Sequence, residues 1–320
     1  MTSKSIIFIL ASAAVLSACA ARASKAVIRQ ERSFPMISVP STITDIPSRI
    51  EYTTEHFWDR FLSVDTTFVC DSVLVNGITH AELEQAMGNW AYITGMAPVS
   101  SGRNGAEALY HKLESFSQAF SDTVVASSVI PLVEKYLYDP NSPVRNEDVY
   151  QRFADLLSRS SLVDEGRRMT YAYDAGMAAL NSVGTPAADF RFTDTEGRIR
   201  SLYGIKADYL LLIFGNPGCG ACKELMDAIS SDGHISALIA SGRLKVADIY
   251  IDEEVDDWKS HMDEYPAAWI NGYDHLFSIR TDRTYHIRAI PSMYLLDASK
   301  NVILKDASQD VVLSHLSSIQ

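Results

Sequence analysis

The sequence predicts two domains: an all-α helical domain, then an α/β domain with a central mixed sheet flanked by helices and entered through an N-terminal hairpin. Three observations carry this. The chain has 320 residues, 47% of them hydrophobic, which is more than one typical core encloses. From about Ile50 to Leu180 apolar residues recur at helical intervals. Beyond Gly184-Thr185-Pro186 they gather instead into short runs separated by helical stretches, the grammar of an α/β sheet. Charged residues make up 21%, a folded composition rather than a disordered one. Forty acidic against 28 basic side chains give a net charge of −12, which argues against a nucleic-acid partner held by phosphate neutralisation. Four cysteines, Cys19, Cys70, Cys219 and Cys222, are too few for a disulfide scaffold. Each has to be explained by its surroundings.

The chain opens with Lys4, an apolar run from Ile6 to Leu16, and then Ser17-Ala18-Cys19. This is the order of a signal peptide over residues 1–18. The run is shorter than the ~20 residues that a membrane-spanning helix needs. Leu16-Ser17-Ala18-Cys19 resembles a bacterial lipobox. That resemblance implies acylation of Cys19 as the first mature residue, and several acyl chains on one residue give stable attachment without a spanning helix. An ordinary signal peptide with an incidental cysteine is the plainer alternative. Residues 20–25 contain Arg22 and Lys25 but no acid, so they lack the acidic stretch that accompanies surface export of some lipoproteins. The expectation is therefore a lipid-anchored protein of the bacterial cell envelope, facing the periplasm. Residues 19–48, with Pro35, Pro40 and Pro47 and no sustained period, read as a tether.

Residues 49–182 are expected to form five or six helices. Thr79-His80-Ala81-Glu82 has the spacing of a capping box and precedes Leu83, Met87, Trp90, Ala91 and Ile93. Similar patterns cover Glu51–Leu62, Ala106–Phe120, Thr123–Tyr138, Glu147–Ser158 and Asp164–Asn181. Pro131 should kink or split its helix, and Asp139-Pro140-Asn141-Ser142-Pro143 breaks between two others. His56, His80 and His111 lack the spacing of metal ligands. The aromatic residues Phe57, Trp58, Trp90, Tyr92, Tyr136, Tyr138 and Tyr150 are explained by a core rather than a ligand box.

Residues 183–320 form the second domain. Asp189–Thr193 and Ile199–Leu202 flank Asp194-Thr195-Glu196-Gly197, a hairpin signal. Tyr209–Phe214 is a continuous apolar run, the mark of a strand buried on both faces. Asn216-Pro217-Gly218 ends it, and a helix follows over Lys223–Ile229. Further strands are expected at Leu244–Ile251, Ser292–Leu296 and Val302–Lys305, with a closing helix at Val311–Ser317.

The chemistry sits at the first strand-to-helix junction, Cys219-Gly220-Ala221-Cys222. One helical turn brings two such thiols within disulfide reach. The first thiol lies where unsatisfied N–H groups and the helix dipole favour an anion. That lowers its pKa, so the Cys219 thiolate is the attacking group and Cys222 resolves the mixed disulfide. A structural zinc would need a second ligand pair, and none has suitable spacing. A purely structural bridge over so small a loop would constrain the unfolded chain little. No metal and no cofactor beyond the redox-active disulfide is expected.

Ala289-Ile290-Pro291-Ser292 precedes the strand Met293–Leu296, about seventy residues beyond the cysteines. Together with the C-x-x-C, this resembles the thioredoxin fold over about residues 183–320, in particular its membrane-anchored TlpA/ResA-type branch. The resemblance implies that the Ile290–Pro291 peptide is cis, faces the cysteines, and offers Ile290 backbone hydrogen bonds to an extended client. Gly218, Gly220 and Ala221 would form the rest of the client-binding rim. Implied partners are protein thiols and disulfides, together with an upstream electron donor or acceptor. The sequence departs from relatives at Gly218, where many carry Trp, at Ile213, where thioredoxin has a buried aspartate, and at Ala221, commonly proline. These positions tune the redox potential, so reduction, oxidation and isomerisation all stay open. The alternative is a non-catalytic thioredoxin-like lipoprotein that binds partners, with a structural or vestigial C-x-x-C. Asp252 or Glu253 as a proton relay is a minor reading beside a solvated acidic loop.

Lys135–Tyr150 resembles part of a helical domain of unknown function found ahead of thioredoxin-like domains in bacterial lipoproteins, a resemblance reaching over about residues 30–180. It implies no activity; a partner-binding or substrate-presenting role is the expectation. Cys70, in a mildly apolar stretch, reads as a buried bystander.

Overall fold

A computed structural model describes residues 27–320. The expected signal peptide, lipobox and Cys19 lie outside the described residues.

Six helices build the first domain: α1 (Ile46–His56), α2 (His80–Met96), α3 (Val99–Phe120), α4 (Val124–Val133), α5 (Glu147–Leu157) and α6 (Glu165–Ala178). Their starts are written in the sequence. Asp45, Thr79, Asn146 and Asp164 each accept a hydrogen bond from a backbone N–H in the first turn that follows, satisfying donors that the helix cannot. Pro131 does not end its helix at once. The helix runs on to Val133 and widens into a π-helical turn, Glu134–Tyr138. Trp58, Trp90, Phe116, Tyr150 and Phe153 are fully buried in one core.

The tether expectation is corrected over residues 27–48. Strand β1 (Val27–Ile28) pairs in parallel with β2 (Thr67–Phe68). Phe34 packs among Phe57, Trp58 and Phe61, with ring centroids 5.4–5.6 Å apart. Glu82, expected to complete the capping box, instead accepts the Phe34 N–H at 3.0 Å. The segment has no period because it contributes one aromatic anchor rather than an amphipathic face. Strands β3 (Leu74–Val75) and β4 (Ile78–Thr79) make a hairpin across Asn76-Gly77. Both turn residues have positive φ, and a Cβ on Gly77 would stand 2.8 Å from Phe68 Cβ.

The second domain is a seven-stranded mixed sheet: β5 (Arg191–Asp194), β6 (Ile199–Ser201), β7 (Tyr209–Phe214), β8 (Leu244–Tyr250), β9 (Ile270–Tyr273), β10 (Ser292–Asp297) and β11 (Val302–Lys305), in spatial order β11-β10-β7-β8-β9-β5-β6. Strands β7, β8 and β9 are parallel, while β10, β11, β5 and β6 join antiparallel. Helices α7 (Gly220–Ser231) and α8 (Gly233–Ala240) make the crossover from β7 to β8; α9 (Val255–Ser260), α10 (Ser278–Thr281) and α11 (Gln309–Ser318) complete the domain. The run Tyr209–Phe214 alternates between two cores. Leu210, Leu212 and Phe214 meet Phe190, Tyr285 and Tyr294, while Leu211 and Ile213 meet α7 and α11 through Leu225, Ile229, Val312 and Leu316. Burying each such side chain contributes about 1.5–3 kcal/mol.

Strand β9 has no counterpart among the strands expected from the sequence. Its glycine is there for space: a Cβ at Gly272 would lie 2.4 Å from the Phe192 ring. The junction between domains is ordered by the sheet itself, since Gly184, Thr185 and Ala187 bond to Val302 and Lys300 along the β11 edge. Among the described residues no helix is long and apolar enough to cross a membrane.

Candidate active site

Strand β7 delivers the chain to Gly215, and Asn216-Pro217-Gly218 turns it into α7. Gly218 takes φ +72°, a region open to glycine at little cost. Cys219 is the N-cap of α7, and its Sγ accepts the Cys222 N–H at 3.1 Å. A side chain in this place does for the helix what a capping serine does, and a thiolate there also meets the positive end of the dipole. The two sulfurs are joined as a disulfide, with Cα atoms 5.2 Å apart.

The pair is asymmetric. Cys222 is 4% exposed, whereas Cys219 is half-buried and is flanked by exposed Gly218, Gly220 and Ala221. A Cβ at Gly218 or Gly220 would meet nothing within 4 Å, so the rim around the outer sulfur is open. Access therefore makes Cys219 the sulfur that an outside reactant reaches first.

The Ile290–Pro291 peptide is cis, and the Ile290 carbonyl oxygen lies 3.9 Å from Cys219 Sγ. The structure thus brings together Gly218, Cys219, Gly220, Ala221, Cys222, Ile290 and Pro291, which are drawn from two segments seventy residues apart.

Asp252 lies just after β8. It accepts from the Asn216 side chain and pairs with Arg280, which ties the loop after β8 to the loop that carries Cys219. Cys70 lies in the helical domain, where its Sγ accepts the Asn76 N–H at 3.1 Å. Burial pushes its thiol up, the opposite of activation.

One residue was missed. Asp248 stands inside β8, opposite Ile213 of β7, and is 3% exposed. Strand alternation puts it on the face of Leu244 and Val246, the face that α7 covers through Leu225 and Ile229. Both carboxylate oxygens lie 3.2 Å from where a Gly215 Cβ would be, and Oδ1 has no hydrogen-bond partner. Burial raises its pKa to about 7. A buried acid that titrates near neutrality, on the sheet face that the helix of Cys222 covers, is suited to moving a proton. The signal was an aspartate interrupting the apolar run Val246-Ala247-Asp248-Ile249. Among the described residues no group of three or more His, Cys, Asp or Glu side chains is placed to hold a metal ion.

Residues 13–181 match the family described as Domain of unknown function (DUF5106). A thioredoxin-like protein from Bacteroides caccae of known crystal structure is 35% identical, with 90% of this chain and 99% of that one covered at a TM-score of 0.75. The C-terminal domain of an uncharacterized protein from Bacteroides fragilis is 41% identical over 43% of this chain and 99% of that one, at a TM-score of 0.42. The thioredoxin domain of a thiol-disulfide oxidoreductase from Bacteroides vulgatus is 20% identical over 42% of this chain and 98% of that one, at 0.37. No curated protein matches.

Proposed function

Because this chain belongs to the thioredoxin-like proteins headed by the domain of unknown function DUF5106, we propose that it is a thiol–disulfide oxidoreductase acting on protein thiols and disulfides. The observation that carries this is the capped, half-buried Cys219 bonded to a buried Cys222 and faced by the Ile290 carbonyl at 3.9 Å.

In the reducing direction the Cys219 thiolate attacks one sulfur of a client disulfide. That S–S bond breaks, a mixed disulfide forms, and the departing client thiolate takes a proton. Cys222 then loses its proton to Asp248, which lies in the same layer between sheet and α7. The Cys222 thiolate attacks Cys219 Sγ, closing the Cys219–Cys222 disulfide and releasing the second client thiolate. Two electrons pass from the protein dithiol to the client, and a dithiol donor restores the pair. With a client dithiol and a disulfide acceptor, the same steps run in reverse. The client's extended backbone lies along the open rim of Gly218, Gly220 and Ala221 and pairs with Ile290, as chains do when they add to an exposed strand edge.

The proposal includes attachment in the cell envelope through an acylated Cys19, facing the periplasm, which the Leu16–Cys19 lipobox supports. Mass spectrometry of the mature N-terminus tests this, expecting a lipid-modified Cys19 and no residues before it. The exchange itself is tested with Cys222→Ser. This variant should accumulate Cys219-linked clients that a reductant releases, and the absence of any such adduct would contradict the reading.

A further inference from the structure

The loop that faces the disulfide is held from the other domain. Arg288, two residues before Ile290, donates Nε to Glu147 Oε1 at 2.8 Å and brings its Nη2 within 2.7 Å of the same oxygen. Its Nη1 donates to the Tyr138 carbonyl, and its guanidinium lies 4.1 Å from the Tyr138 ring centroid. Ser292, immediately after Pro291, donates to Asp306 at 2.9 Å. Asp306 is in turn reached by Arg145, which donates to the Asp306 and Ala307 carbonyls at 2.7 and 3.1 Å. Lys305 pairs with Glu147 Oε2 at 3.0 Å, and His286 stands 3.6 Å from Oε1.

Tyr138 ends the π-helical turn, Glu147 begins α5 and Arg145 lies in the loop between them; Arg288, Ser292 and Asp306 belong to the sheet domain. Glu147 is 3% exposed. Burial opposes its ionisation, but His286, Lys305 and Arg288 overcome that and hold its pKa down at about 2. Removing one member of such a cluster leaves a buried charge without its partner, so its members hold together as a set.

We propose that the helical domain is the positioning element of the reacting groove: Tyr138, Arg145 and Glu147 hold the Arg288–Ser292 loop on both sides of Ile290, so that its carbonyl faces Cys219. This rests on the exchange reading above and assigns the domain of unknown function a part in it. Glu147 and Arg288 are positioning residues, acting through Ile290. A small dithiol has no backbone to pair with Ile290 and does not need the loop in place; a peptide client does. Misplacing a reacting group by an ångström costs up to about a hundredfold in rate.

The test uses the full chain with Glu147→Gln and Arg288→Lys, and Asp208→Asn at the exposed Asp208–Arg243 pair as control. Two rates are read: reduction of the Cys219–Cys222 disulfide by dithiothreitol, and exchange with a disulfide-bonded peptide. The expected result is a rise in KM for the peptide of tenfold or more in both groove variants, with the dithiothreitol rate within about twofold of wild type. Asp208→Asn should match wild type in both. Arg288→Lys keeps the charge of the cluster, so it reads the same split if Glu147→Gln fails to fold. Hydrogen exchange reads the loop without turnover: the amides of residues 288–290 and 292 should exchange at least tenfold faster in Arg288→Lys. Wild-type exchange rates there, or an equal fall of both chemical rates, overturn the positioning role. A wild-type protein inert to both reductant and peptide, with the loop freed in Arg288→Lys, contradicts the oxidoreductase reading instead.

Discussion

Asp248 stands directly opposite Ile213 across the β7–β8 ladder, so this buried acid lies on the strand beside the one that leads into Cys219. Its place against Gly215, on the face covered by α7, makes it the proton acceptor proposed for Cys222. Asp248→Asn should slow closure of the Cys219–Cys222 disulfide about tenfold or more at pH 7, within the range of general-base effects. The rate should also lose its inflection near pH 7. Stopped-flow decay of a preformed Cys219 mixed disulfide measures both.

The same carboxyl carries a stability signature. Its folded pKa is about 7 against an ordinary 3.8, so between those values the folded chain holds a proton that the unfolded chain has lost. Stability therefore falls as pH rises from about 4 to 7 and levels above, by about 4 kcal/mol at most. Asp248→Asn removes that dependence. Denaturation at pH 5 and pH 8 should show the variant gaining on wild type at the higher pH, and parallel curves would contradict the buried titration.

Alkylation should rank the thiols. After reduction, Cys219 is accessible and sits at the positive end of α7, whereas Cys222 is buried and Cys70 is pushed up by burial. Iodoacetamide at pH 7 should label Cys219 first and Cys70 far more slowly, as read by peptide mass spectrometry.

Two glycines predict opposite outcomes. Gly272→Ala drives a Cβ into Phe192 and toward the Thr193 carbonyl, and overpacking of this kind costs about 1–3 kcal/mol. Gly220→Ala meets open space in the first turn of α7, where alanine is favoured by up to about 1 kcal/mol. Chemical denaturation of the two variants should move in opposite directions.

Phe34→Ala should destabilise the helical domain by about 2 kcal/mol, since a half-buried ring loses less than the 3–5 kcal/mol of a fully buried one. A variant as stable as wild type would restore residues 27–48 to the status of a spacer.

What was legible in the sequence follows from how local its cause is. The helices of the first domain announce themselves through caps at Thr79 and Asp164, and β7 through an unbroken apolar run. The cysteine pair and Ile290–Pro291 were legible because each motif is contiguous, although only the fold brings them to 3.9 Å. Strand β9 was not, because Gly272 answers to Phe192, eighty residues away. Phe34 was not, because one ring docking on three others leaves no period. Asp248 was visible as a charge in an apolar strand, but its meaning lies in the neighbouring strand and helix. The Glu147–Arg288 pair spans 141 residues, beyond any local pattern.

The central claim is that Cys219 is the attacking sulfur, and turnover of a peptide disulfide by Cys219→Ser tests it most directly. The account predicts loss of turnover to the uncatalysed rate, with the chain folded and the Ile290 loop in place. A Cys219→Ser variant as active as wild type would contradict it.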